Sequence, residues 1–114
     1  MKLAYGIFYT KDIAAASKFY AETVGLEKAF GDHRFVAFKI GDALLGIQIV
    51  ENPREIPGHQ TIIIEVPNIH ELNDALKAKG LGFAKELTVA DWGTNLALID
   101  PDGNKIEFFQ RNIL

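Results

Sequence analysis

The chain has 114 residues, a formal net charge of −3, 48% hydrophobic and 24% charged residues, and no cysteine. That length fits one compact domain with a single core. Its charge argues against nucleic-acid binding, which needs clustered Lys and Arg, and the lack of cysteine removes disulfides, thiolate metal sites and cysteine nucleophiles. The apolar runs are too short for a transmembrane helix, and "MKLAYGIFYTKD" lacks the long apolar stretch and cleavage site of a signal peptide. A cytoplasmic protein away from membranes is the default expectation.

"KLAYGIFYT" alternates and is rich in aromatics, which predicts a strand. "DIAAASKFYAETVG" predicts a helix, with Asp12 as N-cap and Gly25 as stop. Its apolar face is Ile13, Ala16, Tyr20 and Val24, with Phe19 beside it. "LEKAF" is a short strand before the turn "GDHR". "FVAFKI" and "LLGIQIV" are two strands joined by a tight "GDA" turn. "ENPREIPG" has linker composition.

The order then repeats. "QTIIIEV" is a strand. "PNIHELNDALKAKG" is a helix capped by Asn68, with Glu71 completing a capping box. Its expected apolar face is Ile69, Leu72, Ala75 and Leu76, and Gly80 stops it. "FAKEL", "TNLALI" and "KIEFFQ" follow as strands, the last two joined by the turn "DPDGN". The halves match at an offset of 56: Tyr5 falls on Thr61, Asp12 on Asn68, Ile13 on Ile69 and Tyr20 on Leu76. Such a repeat points to a duplicated supersecondary unit. The expectation is an α+β single domain over 1–114, with module one at about 1–51, a linker at 52–58 and module two at about 59–114.

"YTKDIAAASKFYAETVGL" and "DWGTNLALIDPDGNKIEF", in this duplicated order, resemble the vicinal oxygen chelate superfamily. That group includes glyoxalase I, bleomycin-resistance proteins and extradiol dioxygenases. The resemblance covers nearly the whole chain and is closest to bleomycin-resistance-type members. It implies two tandem βαβββ modules forming a mixed, curved sheet with a concave cleft and helices on the outer face. In catalytic members the cleft holds a divalent metal, with ligands from the first and last strands of each module. The matching positions here are Tyr5, Gly46, Thr61 and Glu107. Only Glu107 is a good ligand for such a metal. A register shift of two keeps strand faces and yields the alternative set Gln48, His59 and Glu107. His33 and His70 read as solvated.

Strand parity places Tyr5, Ile7 and Tyr9, Thr61, Ile63 and Glu65, and Asn95, Ala97 and Ile99 on the cleft side. Gln48 and Phe109 join the face of Glu107. Trp92 occupies the "WG" position that borders the ligand in drug-binding relatives. The expected binding residues are therefore Tyr5, Tyr9, Gln48, Thr61, Glu65, Trp92, Asn95 and Glu107. They suit a partly aromatic small molecule that can be cationic. "GxSxG", "HExxH" and a phosphate loop are all missing, and the single serine, Ser17, sits within a predicted helix.

The leading expectation is a metal-free, cofactor-free, homodimeric binder that sequesters its ligand. The alternative is a glyoxalase-type lyase, isomerase or thiol transferase, or a dioxygenase, using one Zn, Ni, Mn or Fe ion with Glu107 as catalytic group. A third possibility is a cleft filled by the chain's own Tyr5, Tyr9 and Phe35.

Overall fold

A computed structural model describes residues 1–112; the last two residues of the expected second module lie outside them. Among the described residues, eight strands form two four-stranded sheets, each mixed and each carrying one helical segment. By internal contacts the chain divides into two compact units. The first contains residues 1–60 and 100–104, and the second 61–99 and 105 onward.

In the first unit, β1 (Tyr5–Thr10) pairs parallel with β4 (Ala43–Ile49). β3 (Phe35–Ile40) lies antiparallel beside β4, and β2 (Lys28–Gly31) closes the order β1-β4-β3-β2. Between β1 and β2 runs α1 (Ile13–Lys18), capped as expected: the Asp12 carboxylate accepts from the Ala15 N–H at 3.0 Å. The helix does not continue to Gly25 as regular α-helix. Residues Phe19–Val24 widen into a π-helical turn, closed at Gly25 with φ 83°. Phe8, Tyr20, Val36, Phe38, Leu45 and Ile47 make this unit's core. The Tyr20 ring lies 6.3 Å from Phe8 and 6.1 Å from Phe38.

The second unit repeats the plan. β5 (Thr61–Glu65) pairs parallel with β8 (Lys105–Arg111), β7 (Gly93–Ile99) is antiparallel to β8, and β6 (Lys85–Ala90) is outermost. Helix α2 spans Ile69–Ala78, with the Asn68 side chain accepting from the Glu71 N–H at 3.2 Å and donating to the Glu71 carboxylate at 3.2 Å. A second cap comes from the sheet: Gln110 Oε1 accepts from the Ile69 N–H at 2.8 Å. The buried face differs from the expected one. Asn73 is buried and Ala75 is exposed. Ile69, Leu72, Asn73 and Leu76 stand at i, i+3, i+4 and i+7, whereas Ala75 falls on the flank of that stripe. "FAKEL" is also displaced, since β6 begins at Lys85 and runs on through Ala90.

The two sheets obey the same register. Ala37, Gly46 and Ile7 stand side by side across β3, β4 and β1. Ala97, Glu107 and Ile63 stand side by side across β7, β8 and β5. This pairing puts Gly46 and Glu107 at equivalent register positions in the two sheets, as the resemblance implied.

Candidate functional site

In each sheet one face carries the helix; the opposite, open face is free of helix but only partly exposed. Parity follows from burial. Ile106 and Phe108 are 0% and 3% exposed on the helix side, while Ile63, on the open side, is 60% exposed. Tyr5 and Ile7 are on the open face of the first sheet and remain half-exposed. Register puts the expected cleft residues on strands on the faces away from the helices, where Asn95 and Ala97 are nonetheless fully buried.

On the first sheet the decisive feature is a glycine. A Cβ placed on Gly46 would lie 2.6 Å from Cζ and 2.7 Å from Cε2 of Phe35. Thus the Phe35 ring leans across the backbone at the position where the resemblance expects a metal ligand. Tyr5 meets that ring edge-on at 6.5 Å and Phe30 stacks on it at 6.1 Å and 26°. Three rings thus line one face, and Phe30 and Tyr5 stay 48% and 45% exposed. Phe30 was missed because "LEKAF" carries little face information of its own. In register Tyr9 is beside Gln48, and Gln48 beside Phe35. The Gln48 amide donates to Glu55 at 3.3 Å and Glu51 at 3.5 Å. Arg34 pairs with the same Glu51.

On the second sheet Asn95, Phe109 and Glu65 share one row, Ala97, Glu107 and Ile63 the next, and Ile99, Lys105 and Thr61 a third. Both acids have basic partners. Arg111 grips Glu65 with two bonds of 2.7 and 3.0 Å, and this bidentate pairing holds the carboxyl below its ordinary range. The Glu107 side chain, 13% exposed, pairs with Lys105 Nζ at 3.5 Å. Arg111 also sits 5.6 Å over the Phe109 ring, which contacts Trp92 at 5.9 Å. Trp92, in the turn between β6 and β7, is half-exposed. Arg111 was legible only through the cross-strand register of β8 with β5, which the sequence does not state; Lys105, two residues before Glu107 on the same strand, was within reach of strand parity.

These residues do not fit a divalent metal. Gly46 has no donor, and its space belongs to a phenyl ring. Thr61 is a weak ligand and Tyr5 holds an aromatic contact. In the alternative set, Gln48 is engaged by two glutamates, and His59 is an exposed loop residue at φ 63° whose N–H donates to the Gly103 carbonyl at 3.4 Å. Among the described residues no three His, Asp or Glu side chains converge as a metal site would require.

The turn Asp100–Asn104 has a structural task. Asp100 is 5% exposed and its carboxylate accepts four bonds: from Asp102 N–H (2.9 Å), Asn104 N–H (2.8 Å), Asn104 Nδ2 (2.9 Å) and the Tyr20 hydroxyl (2.5 Å). Burial, and then Asp100 itself, push the Tyr20 phenol far above its ordinary value of 10.0. So the "FY" of the helix and the "DPDGN" of the turn, which lie within the two stretches that carry the resemblance, are bonded to each other.

No helix among the described residues is long and apolar enough to cross a membrane. No curated protein matches the sequence. Several solved structures share the fold. TnmS3, an antibiotic binding protein from Streptomyces sp. CB03234, superposes with a TM-score of 0.84 at 21% identity, covering 98% of this chain and 97% of that one. Lactoylglutathione lyase from Agrobacterium tumefaciens gives 0.80 at 19%, covering 96% and 92%. TioX from Micromonospora sp. ML1 gives 0.80 at 17%, covering 98% and 100%. At such identities the likeness is one of fold. The family model for the glyoxalase/bleomycin resistance protein/dioxygenase superfamily matches residues 2–108, so the chain belongs to that superfamily.

Proposed function

We propose that this protein binds a small, partly aromatic molecule without a metal and without chemical conversion. The observation that carries the reading is the Phe35 ring seated on Gly46 and flanked by Tyr5 and Phe30. Half-exposed rings on a rigid sheet gain free energy by stacking a planar ligand and releasing water. On the second unit's own open face, Glu65 and Glu107 are paired with Arg111 and Lys105, so the charge there is balanced. A neutral ring system suits it better than a strongly cationic one. TnmS3, with this fold, is described as antibiotic binding, which supports a binding rather than a catalytic reading.

Calorimetric titration with acridine tests the reading. Stoichiometric binding, weakened about tenfold or more by Tyr5→Ala, is expected. A tightly bound stoichiometric Zn, Ni or Mn lost on Glu107→Ala would overturn it. The same proposal makes the protein a homodimer, supported by Ile7 and Ile63, whose open-face side chains stay 41% and 60% exposed. Light scattering should give twice the chain mass of 12.6 kDa; a monomer at high concentration would remove this part.

A further inference from the structure

Asn95 is the one polar residue that the second unit's open face leaves unsatisfied among the described residues. It is 0% exposed, and neither Oδ1 nor Nδ2 has a hydrogen-bond partner. Parity on β7 puts it opposite to Leu96 and Leu98, which face the helix side, and on the side of Ala97 and Ile99. Its polar neighbours are all engaged elsewhere. Thr88, its register partner on β6, donates to the Glu86 carbonyl at 2.8 Å. Glu65 is held by Arg111 and Glu107 pairs with Lys105. A buried amide with both functions unpaired costs free energy until a partner arrives.

The repeat sharpens its meaning. Phe35 stands one row from Gly46 as Asn95 stands one row from Glu107, since Phe35 pairs with Gln48 and Asn95 with Phe109. Where the first sheet carries the ring that closes its face, the second carries a carboxamide. Beside Asn95 across the strand is Phe109, and Phe109 holds Trp92 at 5.9 Å. An aromatic surface and an unpaired donor–acceptor edge therefore adjoin within one unit.

We propose that Asn95 reads the ligand: its carboxamide takes the cis-amide edge of a planar aromatic lactam, imide or cyclic urea through two hydrogen bonds. The lactam N–H donates to Oδ1 and the lactam carbonyl accepts from Nδ2, so both orphaned functions are satisfied together. The ring stacks against Phe109, beside which Trp92 packs at 5.9 Å, so binding alters the fluorescence of the single tryptophan. The site is built within the second unit alone, from Asn95, Phe109 and Trp92; it rests on the aromatic-binding reading above and names the ligand class for this unit's face.

The test uses three probes of one shape: phenanthridin-6(5H)-one (donor and acceptor), phenanthridine (acceptor only) and phenanthrene (neither), followed by Trp92 fluorescence. The lactam should bind about tenfold or more tighter than phenanthrene. Asn95→Leu should erase that preference, keep phenanthrene binding, and leave the ligand-free Tm equal or higher, because it removes an unpaired buried amide. Equal affinity of all three probes would overturn the role of Asn95 while leaving the aromatic-binding reading in place. Silence of all three would overturn both. A lower Tm in Asn95→Leu would show that the amide is already satisfied without ligand, and would overturn the proposal.

Discussion

Gly46 lacks a side chain, and the ring of Phe35 uses the space. Restoring a Cβ there forces the ring aside, because 2.6 Å is far inside van der Waals contact. Gly46→Ala should therefore lower stability by about 1–3 kcal/mol, the usual range for overpacking. In the double variant with Phe35→Ala the two losses should not add, since the clash disappears with the ring; chemical denaturation of the four species in a double-mutant cycle measures this. Strict additivity would mean the ring does not rest on Gly46. Tyr20 offers a second residue-scale test. Its folded phenol keeps its proton well above 10.0, the ordinary value at which the unfolded one ionises. The stability it contributes is complete below about pH 10 and falls as pH rises beyond it, because only the unfolded state releases the proton. Tyr20→Phe should reduce stability at neutral pH by about 1.5–3 kcal/mol, the range for bonds to charged groups, and flatten the decline above pH 10. Urea unfolding at pH 8 and pH 10.5 checks both.

Among the elements, α2 shows how local signals and sheet contacts combine. Asn68 was legible as a cap because its spacing to Glu71 is a local pattern, and the structure has both bonds. Gln110 was not legible: it caps the same helix from β8, 41 residues away in sequence, and no local pattern encodes that reach. Asn68→Ala should cost about 0.5–2 kcal/mol. Gln110→Ala should cost a similar amount, because it leaves the Ile69 N–H without its acceptor; thermal unfolding of each compares the two caps. An unchanged Tm in Gln110→Ala would show that water replaces the side chain. α1 teaches the opposite lesson. Its apolar spacing suggested regular helix to Gly25, yet the chain widens at Phe19–Val24. The i→i+5 geometry goes with packing the Tyr20 ring among Phe8 and Phe38 while its hydroxyl reaches Asp100.

Across the whole molecule, the chain crosses between units more than once. The hairpin of β7 and β8 belongs to the second unit, but its turn, residues 100–104, belongs to the first. There the backbone at Gly58 lies so close to the turn that an added Cβ would stand 2.6 Å from the Asp102 carbonyl, and Gln60 N–H donates to Asn104 Oδ1 at 3.2 Å. Asp100→Ala should strip four bonds at once and raise amide exchange in β1 and β4 more than in β5. Equal acceleration in both units, read by hydrogen exchange with mass spectrometry, would count against this assignment.

The sequence by itself determined the duplicated order of strands and helices, the caps at Asp12 and Asn68, and the two faces of each strand. Those depend on near neighbours and on a period of two or 3.6, which a linear string displays. It also determined that only Glu107 among the four ligand positions resembles a metal ligand. Tertiary structure alone decided what fills the places of the others and who partners the acids. The ring over Gly46, Arg111 on Glu65 and the unpaired amide of Asn95 arise between strands, whereas Lys105 beside Glu107 is a pair along β8 itself. Side chains there meet according to cross-strand register and rotamer, and neither is written in the spacing of residues along one strand.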